Sequence, residues 1–474
     1  MRFTNKDLKN MIIPLFLEQL LVMLVGIADT LVISYVGEAA VSGVALVNQF
    51  NTIFIYIFTA LASGGAVIVS QYIGSRDTDN AEKSSSQLLM FSVMISLLIG
   101  ALVIIGNRTM LGLLFGRVEN SVMDACVTYL RISAYSYPAL AIYNAGAAIY
   151  RSLGKTRVTM YISILSNVIN VAGNIIGVFV LKAGVAGVAY PSLIARAFSA
   201  VVITVLCFRQ GAELRYQVRW ILAWDGGMLK KILNIAVPNG IENGLFQLVK
   251  VALSSIVALF GTYQIAANGV AQSIWSLAAL MGVAMSTAFI PVIGQCMGAD
   301  DTDEAEYYFK KLMKITVAAS VAWNVIIFAA TPLMLMAYDL SAETKGLVIW
   351  LVVIHNVFNA LAYPFSGALS AGLRAAGDVK FTMIVTVIST IGIRLLLSVL
   401  FGIVLDMGGL ALRLPCAPTG FLRPHFLRTG SAGVNGNNSK SYNYMTEAKE
   451  EKKDRIKRLA FQQCEAVRLL VSMM

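Results

Sequence analysis

A carboxylate inside an apolar run is the first feature of this sequence equipped for chemistry. Asp29 sits within residues 11–34, in the stretch Gly26-Ile-Ala-Asp29-Thr-Leu-Val-Ile33. A charge at the middle of a membrane-crossing helix costs about 3 kcal/mol on insertion scales, so such a group faces protein or a water-filled cavity. Proton or Na⁺ uptake is the chemistry expected of it, because removing a buried charge changes which packing is favoured. Pro14 lies on the same run, and its missing N–H frees a carbonyl and lets a helix bend there. Glu18 lies on nearly the same face as Asp29, about three turns earlier. A second polar group, Asn167, Asn170 and Asn174, is spaced i, i+3, i+7 and therefore shares one helix face. Amide bonding between helices is the competing role for that stripe. A third group comprises Asn239, Glu242, Asn243, Gln247 and Lys250, where Lys250 needs a partner or loses its charge. With Asn144, these residues are the candidates for a substrate cavity: Glu18, Asn144, Asn167, Glu242, Asn243, Gln247 and Lys250. Tyr35, Tyr137, Tyr143, Trp275, Met281 and Met285 are candidates for an adaptable aromatic lining.

The elements that position these groups are apolar runs. The 474 residues are 57% hydrophobic and 13% charged, and mean hydropathy is +0.72, outside the usual range of soluble domains. Eleven runs have the roughly 20 residues needed to cross about 30 Å of hydrocarbon: 11–34, 46–73, 87–106, 124–150, 158–181, 185–208, 229–260, 267–294, 312–336, 347–374 and 381–405. Lys and Arg number 18 in the N-terminus and every second loop but only four in the alternate loops. The positive-inside rule then places the N-terminus in the cytoplasm. That topology, and not nucleic-acid binding, accounts for the net charge of +11. The five cysteines are widely spaced and the two histidines isolated, a pattern that predicts no metal site. No nucleophile, metal cluster or phosphate loop suggests an enzyme, and no resident cofactor is expected beyond H⁺ or Na⁺ as a coupling ion.

The runs are duplicated. Pro14, Glu18, Gly37, Gln71 and Gly74 recur as Pro238, Glu242, Gly261, Gln295 and Gly298, and Arg151-Ser-Leu-Gly154 recurs as Arg374-Ala-Ala-Gly377. Copies with the same direction imply parallel repeats related by an axis along the membrane normal, an arrangement suited to a transporter with a cavity between two lobes. The predicted fold is an all-α polytopic membrane protein of two pseudo-twofold six-helix lobes. Its parts are an N-lobe over 1–210, a cytoplasmic linker over 211–228, a C-lobe over 229–410 and a non-membrane tail over 411–474. In the loops after Gly74 and Gly298, glycine is expected to close the helix in a left-handed cap before acidic residues open the next one.

The sequence resembles the multidrug and toxic compound extrusion (MATE) family, closer to its DinF-like bacterial branch. The motifs that carry the resemblance are Pro14-x3-Glu18-Gln19, Gly26-Ile-Ala-Asp29 through Gly37, Ala62-Ser-Gly-Gly65 through Gln71-Tyr-Ile-Gly74, Tyr150-Arg-Ser-Leu-Gly-Lys-Thr156, Pro238-Asn-Gly-Ile-Glu-Asn-Gly244 and Leu373-Arg-Ala-Ala-Gly-Asp-Val379. The likeness covers roughly residues 8–410. It implies twelve helices, alternating access and export of cationic or amphipathic organic compounds in exchange for H⁺ or Na⁺. By the same resemblance Asn170, Asn174 and Ser192 fall where relatives place cation-site partners of the first-helix aspartate. Several relatives carry Asp at the position of Asn174, so one carboxylate is missing here. The acidic pair that the other branch uses in its second lobe is replaced by Phe246 and Tyr363, which favours coupling through the first lobe. The resemblance further implies a monomer in the bacterial inner membrane, with a lipid-linked or polysaccharide flippase of the same superfamily as the alternative.

A twelfth span should begin near Met407-Gly-Gly-Leu410. Instead Ala411–Phe426 carries three prolines and several basic groups, which no membrane-crossing helix tolerates. A frameshift is the hypothesis for this: codons can be chosen for 411–426 so that a shifted frame reads as apolar text containing A-D-W, similar to the family's last helix. On that reading the twelfth helix is lost, and an inactive membrane remnant is a further alternative.

Overall fold

Long amphiphile-free apolar runs leave the backbone one way to satisfy its polar groups in lipid, the α-helix. The computed structural model describes residues 2–115, 118–257, 262–336, 341–361 and 363–400, and among them there is no strand. In the first half the helices are α1 (Asn5–Ser34), α2 (Glu38–Gly74), α3 (Thr78–Phe115), α4 (Asn120–Tyr135), α5 (Tyr137–Ser152), α6 (Thr156–Ile175), α7 (Ala186–Phe208) and the short α8 (Val218–Leu222). The second half has α9 (Gly226–Val257), α10 (Thr262–Ala278), α11 (Leu280–Gly298), α12 (Thr302–Met336), α13 (Ala342–Leu361), α14 (Leu369–Ala375), α15 (Val379–Val387) and α16 (Leu396–Val399). Among the described residues, π-type turns interrupt this order at Ile176–Val180, Pro364–Ala368 and Ile388–Leu395.

Eight of these helical stretches are long and apolar enough to cross a membrane, fewer than the eleven predicted runs, and the differences are local. Run 124–150 is broken at Ser136 into α4 and α5, with Pro138 in the first turn of α5, where proline's missing donor does no harm. Run 229–260 is α9, a 32-residue helix that carries Glu242 and Lys250. Run 381–405 appears as α15 and its continuation to residue 400. Helix α2, at 37 residues, is about 55 Å long and projects beyond the roughly 30 Å hydrocarbon layer. Ile105 and Leu113 are 85% and 84% exposed, the outward apolar surface expected against lipid. The expected tail over 411–474, with its missing twelfth span, lies outside the described residues.

Two compact units divide between Gly240 and Ile241, inside α9. Linker 211–228 belongs to the first unit, bound there by Gln87 of α3. The Gln87 amide donates to Ala223 O at 2.5 Å and to Trp220 O, and its oxygen accepts from Asp225 N at 3.1 Å. Lys83 pairs with the Asp225 carboxylate. The Lys83 ammonium, together with the Met228 N–H, holds the Asp225 carboxyl below the usual carboxylate range. The stabilisation is therefore full above the ordinary carboxylate pKa and is lost as pH falls through the lowered native value. Protease cleavage of the linker is expected to rise at acid pH in the wild type, and to be less pH-dependent in Asp225→Asn.

The duplicated motifs are duplicated in structure. Gly154 and Gly377 both take positive φ, +74° and +91°, and each N–H closes on the carbonyl of the arginine three residues earlier. After Gly74 and Gly298 the outcome differs from the expectation. The left-handed residues are Arg76 (φ 62°) and Asp300 (φ 64°), not the glycines, which complete their helices. Asp77 and Asp301 then cap the next helices by accepting from Asn80 N and Glu304 N.

Close approach of α6 and α7 frames the site described next. A Cβ on Gly177 would lie 2.2 Å from Gly187 O, and one on Gly173 would lie 2.7 Å from Pro191 Cβ. Small residues four apart let two membrane helices meet backbone to backbone. Gly177→Ala is expected to cost about 1–3 kcal/mol by overpacking, read as a lower unfolding temperature in detergent. Transport should fall with it, because the added methyl pries Ser192 from Asn170.

Candidate functional site

Tight α6–α7 packing brings three polar layers of the first unit together. Asn174 Nδ2 donates to Asp29 Oδ1 at 2.5 Å and to Asn170 Oδ1 at 3.2 Å. Asn170 Nδ2 donates to Ser192 Oγ at 2.9 Å, and Ser192 Oγ donates to Val188 O at 3.1 Å. The carboxylate fixes the whole relay: an anion needs a donor, so the Asn174 amide nitrogen must face it, and the remaining amides follow in turn. Asp29 is half-buried, and Asn174 is fully buried with its Oδ1 unpartnered. A π-type turn begins two residues after Asn174, a feature frequent at functional sites. Asn167, about two turns before Asn174 on the stripe, has a buried Nδ2 without a partner.

The second unit has no copy of this site. The repeat offset places Leu253 opposite Asp29, and Ile393 and Leu397 opposite Asn170 and Asn174. By sequence, the carboxylate and the two asparagines of this relay have no counterparts at the repeat-equivalent positions.

Glu18 and Glu242, candidates for the substrate cavity, are each buried in a shell of hydrogen-bond donors. Glu18 is 3% exposed and accepts from Arg151 Nη2 at 2.6 Å, Thr159 Oγ1 at 3.0 Å and Tyr143 OH at 3.3 Å. Glu242 is 8% exposed and accepts from Arg374 Nη1 at 3.1 Å and Thr386 Oγ1 at 2.8 Å. A buried carboxylate is stable when such a shell replaces its water. Each pair ties the helix after the repeat's proline to the arginine of the Arg-x-x-Gly cap, within its own unit. Tyr137 and Met285, candidates for an aromatic lining, are fully buried core residues. Tyr35 is 69% exposed, with its ring edge on Phe179. Asn144, Asn243 and Gln247 are half-buried. Lys250 stands over the Trp275 ring at 5.8 Å, a cation–π partner of the kind its depth requires. Tyr363 packs where a Gly282 Cβ would stand.

One charged group escapes the sequence reading. Arg196 is the eleventh of 23 residues in α7, about 15 Å from either helix end, and its Nη1 donates to Ser136 Oγ at 2.7 Å. A lone basic residue in the middle of run 185–208 was its signal.

The fold is that of a multi-pass membrane protein of two units, and in the first unit the half-buried Asp29 carboxylate heads a relay of amides and a hydroxyl. The MatE family model matches residues 14–176 and 238–400, once for each repeat. The chain belongs to that family, the MATE multidrug efflux transporters. It is 29% identical over 83% of its length to the "Uncharacterized transporter YisQ" of Bacillus subtilis (strain 168), covering 87% of that protein. It is 23% identical to the "Probable multidrug resistance protein NorM" of Thermotoga maritima, over 81% of this chain and 83% of that one. Among solved structures, the outward-facing conformation of a multidrug resistance MATE family transporter of the MOP superfamily superposes with a TM-score of 0.81 at 20% identity, over 96% of both chains. A MOP superfamily transporter from Pyrococcus furiosus, described as having a binding pocket of reverse polarity, superposes at 0.82 with 19% identity over 96% of both chains.

Proposed function

We propose that this protein exports small organic cations across a bacterial cytoplasmic membrane in exchange for H⁺ or Na⁺ taken up at Asp29. Its N-terminus faces the cytoplasm and it works as a monomer. The observation that carries this reading is the Asp29–Asn174–Asn170–Ser192 relay. It joins α1, α6 and α7, so a change of charge at Asp29 alters the bonding between three helices of one lobe. An anionic Asp29 holds the Asn174 amide; a neutralised one no longer commands that donor, and the balance between packings shifts. Alternating access then follows from loading and unloading one carboxylate.

Ethidium efflux from cells tests the proposal, using this chain beside a version whose twelfth span is restored. Efflux above background in either form, lost in its Asp29→Asn counterpart, supports the reading. A membrane-inserted but inert pair of proteins would turn the test to the second reading, a flippase for lipid-linked cargo, which the mid-membrane cation Arg196 favours. The remnant alternative predicts activity in the restored form only.

A further inference from the structure

Resting on the Asp29 exchange reading, we infer that Arg196 is the ion-selectivity residue of this protein: its guanidinium is a tethered countercharge that takes the place of an alkali ion at the Asp29 relay and makes the site blind to Na⁺. Ser192 and Arg196 are spaced i, i+4 on α7 and so share a face. Ser192 ends the relay from Asp29, and Arg196 lies one turn deeper, held by Ser136 at the break between α4 and α5. Ser136 is itself 1% exposed and directs its own proton to Ser133 O, which leaves its oxygen free to accept from the guanidinium.

Other charges of the first unit do not compete for this role. Glu18 is consumed by Arg151, and Asp124 and Arg131 of α4 and Arg108 of α3 are exposed. Arg157 of α6 bonds Asn10 near the start of α1. Among the described residues Arg196 makes no ion pair. A mid-membrane arginine without a function is costly.

The donor set tells against an alkali ion on separate grounds. A hard cation takes about six oxygen ligands. Here the relay turns amide nitrogens toward Asp29 and Ser192, and its one orphan amide oxygen is Asn174 Oδ1. The second carboxylate that would offset the desolvation of a bound cation is absent, and a fixed positive charge stands one turn away. Like charges in a low-dielectric interior exclude one another strongly.

The test measures thermal unfolding of the purified full chain in detergent, in NaCl against choline chloride at equal ionic strength, for wild type, Arg196→Thr and Arg196→Lys. The wild type and Arg196→Lys are expected to unfold at the same temperature in both salts. Arg196→Thr leaves Asp29 uncompensated and is expected to gain several degrees in Na⁺, a gain lost in the Asp29→Asn/Arg196→Thr double variant. Selective Na⁺ stabilisation of the wild type that Asp29→Asn removes would overturn the inference, as would an Arg196→Thr protein indifferent to Na⁺. Should Arg196→Thr fail to fold, the wild type and Arg196→Lys still decide, since both must ignore Na⁺. A wild type that is Na⁺-dependent yet transports sinks this inference alone; a folded protein that transports under no gradient sinks the exchange reading instead.

Discussion

Asp29→Asn is expected to reduce export to the level of cells without the protein, while the protein still folds and inserts. Asparagine keeps the shape of aspartate and an oxygen able to accept from Asn174 Nδ2, the bond seen at 2.5 Å in the structure. The loss of stability should therefore be about 1 kcal/mol or less, the difference between a charged and a neutral acceptor. Transport has no such substitute. An amide cannot exist in two charge states, so the relay through Asn170 and Ser192 loses the event that shifts it. The second unit offers no reserve, because leucine occupies the position equivalent to Asp29. Size-exclusion profiles in detergent check folding, and initial efflux rates check transport. The nearly isosteric change separates this claim from a stability effect.

Glu18→Ala is expected to do the reverse, costing about 3–5 kcal/mol of stability. Removing the carboxylate leaves the half-buried Arg151 guanidinium without its counterion and takes the acceptor from Thr159 and Tyr143. Arg151 Nε already lacks a partner, so no reserve of hydrogen bonds exists to absorb the change. Expression and unfolding temperature should both fall sharply. The double variant Glu18→Gln/Arg151→Met should recover most of the loss, since replacing both partners removes the uncompensated charge. Glu242→Ala should repeat the effect through Arg374 in the second unit. A Glu18→Ala protein with unchanged stability but altered drug preference would instead restore Glu18 to the substrate cavity.

The two carboxylates of α1 show what the sequence reveals and what it withholds. Both stood out in one apolar run, and helical spacing placed them on one face. Their different roles depend on partners far along the chain: Arg151 for Glu18, and Asn174 for Asp29. Hydropathy ends the fourth run at residue 150, which puts Arg151 among the cytoplasmic loop charges and cannot show a side chain reaching back into the lobe. Asn174 was visible in the i, i+3, i+7 stripe, but a stripe shows which residues share a face and not which helix it meets. The duplication was legible because Pro14, Glu18 and Arg151 recur as identical residues at a nearly constant offset. Arg196 was overlooked inside a run read only for its apolar length. At Gly74 and Gly298 the composition suggested a left-handed glycine, yet the chain turns two residues later, at Arg76 and Asp300. There the Asp77 and Asp301 caps fix the geometry of the following turn.

Transport by purified protein in liposomes tests the central claim most directly. Ethidium movement would be followed after imposing an H⁺ gradient, an Na⁺ gradient or neither, with wild type and Asp29→Asn side by side. Gradient-driven ethidium movement by the wild type, absent without a gradient and absent in Asp29→Asn, is the predicted result. Asp29→Asn protein that moves the dye as fast as the wild type under the same gradient would contradict it.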